Sequence, residues 1–149
     1  MTVIRDLRLL HPKFGRAAGL LDQHLARAHE ARVTKTRFKV FETFRDARRQ
    51  EDLLKKRVTK AGMYQSAHAY GLAADFVPFI TPLEAERLAQ AKGEAVFPGW
   101  NWDPSHDWAF LKKSARDYGV DVPIEWDLAH VEHPDFKYLR DAWMKIKQK

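Results

Sequence analysis

The chain has 149 residues, of which 45% are hydrophobic and 31% charged. That balance fits one globular domain over residues 1–149 and excludes collagen-like and low-complexity chains. It contains no cysteine, which removes disulfides, Cys-ligated zinc and thiol nucleophiles. Lys and Arg number 26 against 20 Asp and Glu, a net charge of +6, so the polyanions to weigh are nucleic acid, acidic membrane surfaces and anionic cell wall. No apolar run approaches the ~20 residues that span a bilayer. Arg5, Asp6 and Arg8 stand where a signal peptide needs an apolar core. The expectation is synthesis in the cytoplasm, without membrane insertion.

In chain order, Phe14, Ala17, Leu21, His24, Leu25 and Ala28 recur at helical spacing and predict a helix over 14–29. Arg37 to Phe44 is β-rich, with Phe38, Val40, Glu42 and Phe44 alternating against the other face. Asp46 caps a short helix to about Arg57, with Leu53 and Leu54 facing inward. A polar, aromatic loop over 61–71 follows. Leu72 to Ile80 reads as a buried strand carrying one odd residue, Asp75.

Thr81-Pro82-Leu83-Glu84 has the cap, the N1 proline and the acid of a helix start, and Gly93 stops that helix. Residues 94–104 form an irregular Trp-rich loop. Asp103-Pro104 opens the next helix, which ends at Tyr118 before Gly119. Val120 to Val131 reads as a strand or strand pair broken at Pro123. Pro134 begins a last amphipathic helix that uses Phe136, Leu139, Trp143 and Ile146. Helices and strands mix without βαβ alternation, and no phosphate loop or G-x-S-x-G is present. The fold class expected is α+β, a small, mostly antiparallel sheet with flanking helices.

Two segments carry chemistry. In Ser66-Ala67-His68-Ala69-Tyr70-Gly71-Leu72-Ala73-Ala74-Asp75, a carboxylate sits in an apolar strand, where burial is costly unless it is paired or metal-bound. In Trp126-Asp127-Leu128-Ala129-His130-Val131-Glu132, an acid and a histidine lie three residues apart. His68, Asp75 and His130 together offer the three N/O ligands of a catalytic zinc site, with Asp127 as a general base toward water. The chain has seven histidines, so spacing alone does not single out two. Trp100, Trp102 and Trp126 divide between cleft walls and core packing, whereas Trp108 and Trp143 read as core.

The first segment fits S-x-H-x-x-G-x-A-x-D residue for residue. It resembles the zinc signature of small peptidoglycan peptidases: the VanY-like D-Ala-D-Ala carboxypeptidases and the L-alanyl-D-glutamate endopeptidases of phage endolysins. Asp127-Leu128-Ala129-His130 is similar to their second motif, and Phe44-Arg45-Asp46 with Gln50 to an upstream element. The resemblance spans about residues 37–132. It implies a Hedgehog/DD-peptidase-like fold, Zn2+ on His68, Asp75 and His130, and Asp127 as base where many carboxypeptidases carry Glu. Arg45 would hold a substrate carboxylate or the oxyanion, and Ser66, Gln50 and Trp126 would meet substrate.

Glu125 and Glu132 are rival bases. On a regular strand Asp127 and His130 face opposite sides, so a bend near Ala129 is required. The activity implied is cleavage of L-Ala-D-Glu in bacterial peptidoglycan by a monomeric phage or prophage lysis enzyme that a holin releases. The alternatives are a D-Ala-D-Ala carboxypeptidase and, from another class, a basic non-catalytic domain that binds wall or nucleic acid.

Overall fold

The computed structural model describes residues 3–56, 66–124 and 126–147. Arg57, residues 61–65 of the expected loop, Glu125 and the Trp143 side chain lie outside the described residues. The elements are α1 (Pro12–Glu30), β1 (Phe38–Glu42), α2 (Ala47–Lys55), β2 (Ala73–Ile80), α3 (Pro82–Lys92), β3 (Gly99–Trp100), α4 (Trp108–Asp117), β4 (His130–Glu132) and α5 (Phe136–Lys147). This is the expected α+β class: an open antiparallel sheet of four strands with helices around it.

β2 is the hub of the sheet. β1 pairs along one edge of it, and β4 and β3 pair in turn along the other. All of β2 is buried except Phe79, which is half-buried, as its near-continuous apolar sequence requires. Phe38, Ala74, Phe76 and Val131 join the core cluster that contains Phe14, Leu21 and Leu25 of α1 and Leu111 of α4. Burying a side chain of this size contributes about 1.5–3 kcal/mol. Among the described residues, no helix is long and apolar enough to cross a membrane.

Local chemistry sets several boundaries as expected. Thr81 and Glu84 form a reciprocal capping box on α3, and Gly93 ends that helix in the left-handed region. Asp46 caps α2 by accepting from the Arg49 amide. Gly71 closes a 3₁₀ turn over Ala67–Tyr70 at φ +68°. A Cβ on Gly71 would lie 2.8 Å from the His11 nitrogen, because the His11 amide donates to the Gly71 carbonyl at 2.8 Å. Position 71 therefore requires glycine for both conformation and space.

Three expectations are corrected. α4 begins at Trp108 with Asp107 as its cap, not at Asp103. Asp103 instead accepts from the Ser105 amide, and its carbonyl takes the Trp108 indole N–H. This local turn competes with helix at that point. Among the described residues of 120–131 there is no strand pair; apart from an isolated bridge from Asp121 to Glu132, only β4 is regular. Leu53 is buried, but Leu54 is 42% exposed, since adjacent helical residues do not share a face.

Candidate metal centre and its cleft

The register of the sheet builds the site. Asp75 on β2 is opposite Glu42 of β1 on one side and His130 of β4 on the other. A β-bulge between Val40 and Glu42 makes the first pairing. The extra residue is Phe41, which stacks edge-on against Trp100 and Trp102. His68 comes from the 3₁₀ turn that Ser66 caps.

His68, Asp75 and His130 are all buried, and one ligand atom from each lies within 4.8 Å of the others. The two imidazoles are fixed from behind. His68 Nδ1 donates to the Thr43 carbonyl at 2.7 Å, which leaves Nε2 facing Asp75 Oδ1 at 3.2 Å. His130 Nε2 is 2.8 Å from Glu132 Oε1, which turns Nδ1 toward Asp75 Oδ1 at 3.5 Å. Ring nitrogens tied in this way present their opposite nitrogen to a metal in a fixed orientation. Thr43 is itself held, its amide donating to the Ile4 carbonyl at 2.7 Å.

Burial works against charge on Asp75, but the two imidazoles outweigh it and hold the carboxyl well below the usual range. Burial likewise opposes charge on His130, yet its hydrogen bonds to Asp75 and Glu132 raise it to about 9. In the metal-free protein His130 is therefore an imidazolium bridging two carboxylates, and a metal must displace its Nδ1 proton. Two nitrogens and one carboxylate oxygen, buried at the wall of an open cleft, fit the three-ligand pattern of catalytic zinc. A carboxylate this deep in apolar surroundings also needs a cation.

The cleft has a volume of about 690 Å³. Asp127, placed by a turn instead of a strand, lines it beside the cluster. The chain turns there, with the His130 amide donating to the Asp127 carbonyl at 3.3 Å, so no strand parity separates the two residues. Burial, and then the Asp75 charge, raise the Asp127 carboxyl from its ordinary value.

Arg45 is buried. Its Nε and Nη2 donate to Glu42 Oε1 at 3.1 and 2.9 Å, and its Nη1 donates to Gln50 Oε1 at 3.1 Å. Nη2 also lies 3.7 Å from Asp75 Oδ2. Gln50 is fully buried and holds Arg45 Nη1 through its Oε1. Ser66 lines the cleft with its oxygen accepting from the His68 amide at 3.3 Å. Trp126 and Trp102 also line the cleft, 64% and 50% exposed. Trp100 packs between Phe41 and Phe79, and Trp108 is core.

The sequence reading did not assign Glu42, Arg49, Thr43, Lys137 or Arg140 to the site. Glu42 is 1% exposed and takes Arg45 on one oxygen and Arg49 on the other, the latter at 2.8 Å. Its alternation with Val40 placed it on β1, but nothing in the sequence marked the bulge. Glu132, the rival base, lines the cleft and is engaged by His130 Nε2 at 2.8 Å.

No protein-family model matches the chain, and no curated protein matches it. Solved structures do. The L-Ala D-Glu endopeptidase ChiX of Serratia marcescens superposes with a TM-score of 0.51 at 20% identity, covering 92% of each chain. The LD-carboxypeptidase LdcB superposes at 0.56 and 14% identity, over 95% of this chain and 68% of that one. The chain shares the fold of these two peptidases.

Proposed function

We propose that the protein is a zinc-dependent peptidase of bacterial peptidoglycan, cutting the L-Ala-D-Glu bond of the stem peptide. The observation that carries this reading is the buried His68–Asp75–His130 cluster opening onto a cleft that also presents Asp127. The fold shared over 92% of both chains with an L-Ala D-Glu endopeptidase supports the choice of bond.

Zinc held by His68, Asp75 and His130 supplies a Lewis acid that polarises a carbonyl and lowers the pKa of water to about 7. Asp127 accepts a proton from the attacking water and returns it to the leaving amine. Its carboxyl has no hydrogen-bond partner among the described residues, so both oxygens are available for that exchange. Three of the five N–H donors of Arg45 are committed to Glu42 and Gln50. Nη2 also pairs with Asp75 Oδ2 at 3.7 Å, which leaves the second Nη1 hydrogen for the oxyanion that develops at the scissile carbonyl. Glu42 and Gln50 hold the guanidinium rigidly, so the donor needs no reorganisation during the reaction. Trp102 and Trp126 offer apolar walls to the peptide or its attached sugar.

Asp in place of Glu as the base supports a lysis role in a phage or prophage, with passage to the wall through a holin. The +6 charge would concentrate the protein on an anionic wall.

The test is mass spectrometry of purified peptidoglycan digested by the zinc-loaded protein, beside His68→Ala and an EDTA control. Fragments with L-Ala left on muramic acid and a new D-Glu amino terminus, made only by the active protein, are expected. Release of a single D-Ala would move the protein to the carboxypeptidases, a reading that the likeness to an LD-carboxypeptidase favours. No cleavage with zinc bound would refute the peptidase reading.

A further inference from the structure

Four Lys and Arg and four Asp and Glu side chains line the cleft, but their partners are unevenly distributed. Glu42 is matched by Arg45 and Arg49 at 2.9 and 2.8 Å. Asp75 faces His68 and His130, and Glu132 holds His130 at 2.8 Å. The cations of the inner cleft are thus committed to its acids. α5 contributes Phe136, Lys137 and Arg140 to the lining. Phe136 is buried in the core cluster and anchors that end of the helix. Lys137 and Arg140 are three residues apart and so share a helix face.

Lys137 is exposed and has no acidic partner among the described residues. Arg140 lies over the Phe136 ring at 5.4 Å. Its one ion pair among the described residues is with the adjacent Asp141 at 3.2 Å, where Asp141 is 64% exposed. A pair that open to water holds its partner weakly, so the guanidinium can exchange it for an anion entering the cleft.

We infer that Lys137 and Arg140 form a subsite for a free carboxylate of the bound peptide, set apart from the reacting bond. This rests on the peptidase reading and adds to it a preference for acidic over amidated stem peptides. A planar guanidinium with an ammonium one turn away suits a carboxylate and gains less from a carboxamide, which has one acceptor oxygen and no charge. The stem peptide has two sources of this group: the α-carboxylate of its γ-linked D-Glu and the carboxylate of the third residue.

Binding of L-Ala-γ-D-Glu-L-Lys is measured by calorimetry against its D-isoglutamine form and its C-terminal amide. The protein is the zinc-loaded full chain carrying Asp127→Asn to halt turnover. Amidation of one of the two positions is expected to weaken binding about tenfold, and that position identifies the carboxylate. Adding Lys137→Ala and Arg140→Ala together should make all three peptides bind alike, at the level of the weaker form. Equal binding of the three peptides before those two substitutions, binding of none of them, or a preference that survives both substitutions would overturn the subsite. Cleavage of the same peptides by the otherwise unaltered protein is read separately. A carboxylate preference without any cleavage would leave the subsite standing and remove the peptidase reading.

Discussion

Replacing Glu132 with Ala removes the acceptor for His130 Nε2–H without touching any of the three ligand side chains. Glu132 Oε1 is 2.8 Å from that nitrogen, and both side chains are at least nine-tenths buried. A buried hydrogen bond to a charged group is worth about 1.5–3 kcal/mol, which agrees with the ~10–100-fold loss of metal affinity typical when such a support is removed. The loss should depend on pH. In the metal-free protein His130 is raised to about 9, partly by Glu132. At pH 7 zinc must therefore displace a proton held about 2 pH units above ambient, a cost on the order of a few kcal/mol. Removing Glu132 weakens the support for zinc and also weakens the competing proton. The deficit of Glu132→Ala is thus partly masked at pH 7 and fully expressed by pH 9. Glu132→Gln keeps an acceptor oxygen and should lose only a few-fold of affinity, on the order of 1 kcal/mol. Zinc affinity is read by competition with a chromophoric chelator across pH 7–9, with circular dichroism as the fold control. Parental affinity for folded Glu132→Ala at pH 9 would refute the reasoning. Normal zinc binding with hydrolysis abolished would make Glu132 the base instead of Asp127.

Asp127→Asn should lower hydrolysis about 10²–10⁴-fold and leave zinc bound, as metal analysis of the purified variant would show. The same change should stabilise the metal-free fold. Burial and Asp75 raise the Asp127 carboxyl, so its charge costs stability at neutral pH. That gain should shrink as pH falls through the raised value toward the unfolded ~3.9, and urea melts at several pH values measure it. Glu42→Ala should cost about 3–5 kcal/mol in the same melts, because it strands the buried Arg45; a loss under ~1 kcal/mol would show that Arg45 finds another partner. Gly71→Ala forces φ +68° on an L-residue and drives its Cβ onto the His11 amide, so a loss of about 2 kcal/mol or more is expected in thermal melts.

The parts legible in sequence are those that short-range chemistry dictates. The α3 cap is complete within Thr81–Glu84, and Gly93 stops the helix without outside help. The apolar run of β2 announces a strand buried on both faces, and Asp75 within it announces a cation. Where two local signals compete, sequence gives no ranking. Asp103-Pro104 and Asp107 are both reasonable caps, and the turn that Asp103 makes with Ser105 decides for Asp107. The 120–131 segment has strand composition, yet most of its length serves the turn that delivers Asp127. The support from Thr43 comes through a backbone carbonyl, which any residue type would provide, so no side-chain pattern can reveal it.

The least legible feature is also the one on which the arrangement of the cleft depends. Side chains alternate along β1 with a period of two. Val40 pairs with Phe76, so an unbroken register would set Phe41 opposite Asp75 and Glu42 opposite Ala74, on the other face of the sheet. The bulge inserts Phe41 and sets Glu42 opposite Asp75 instead. That one-residue shift puts the Glu42 carboxylate on the side where Arg45 and Arg49 converge, and it brings Arg45 Nη2 to 3.7 Å from Asp75. It also puts Phe41 against Trp100 and Trp102. The placement of Arg45 beside Asp75 and one aromatic wall therefore share a single cause. A variant that lacks Phe41 should restore regular pairing with Glu42 still opposite Asp75, lose the aromatic contact with Trp100 and Trp102, and leave Arg45 held and His68 and His130 able to hold metal, as metal analysis of the purified variant would show.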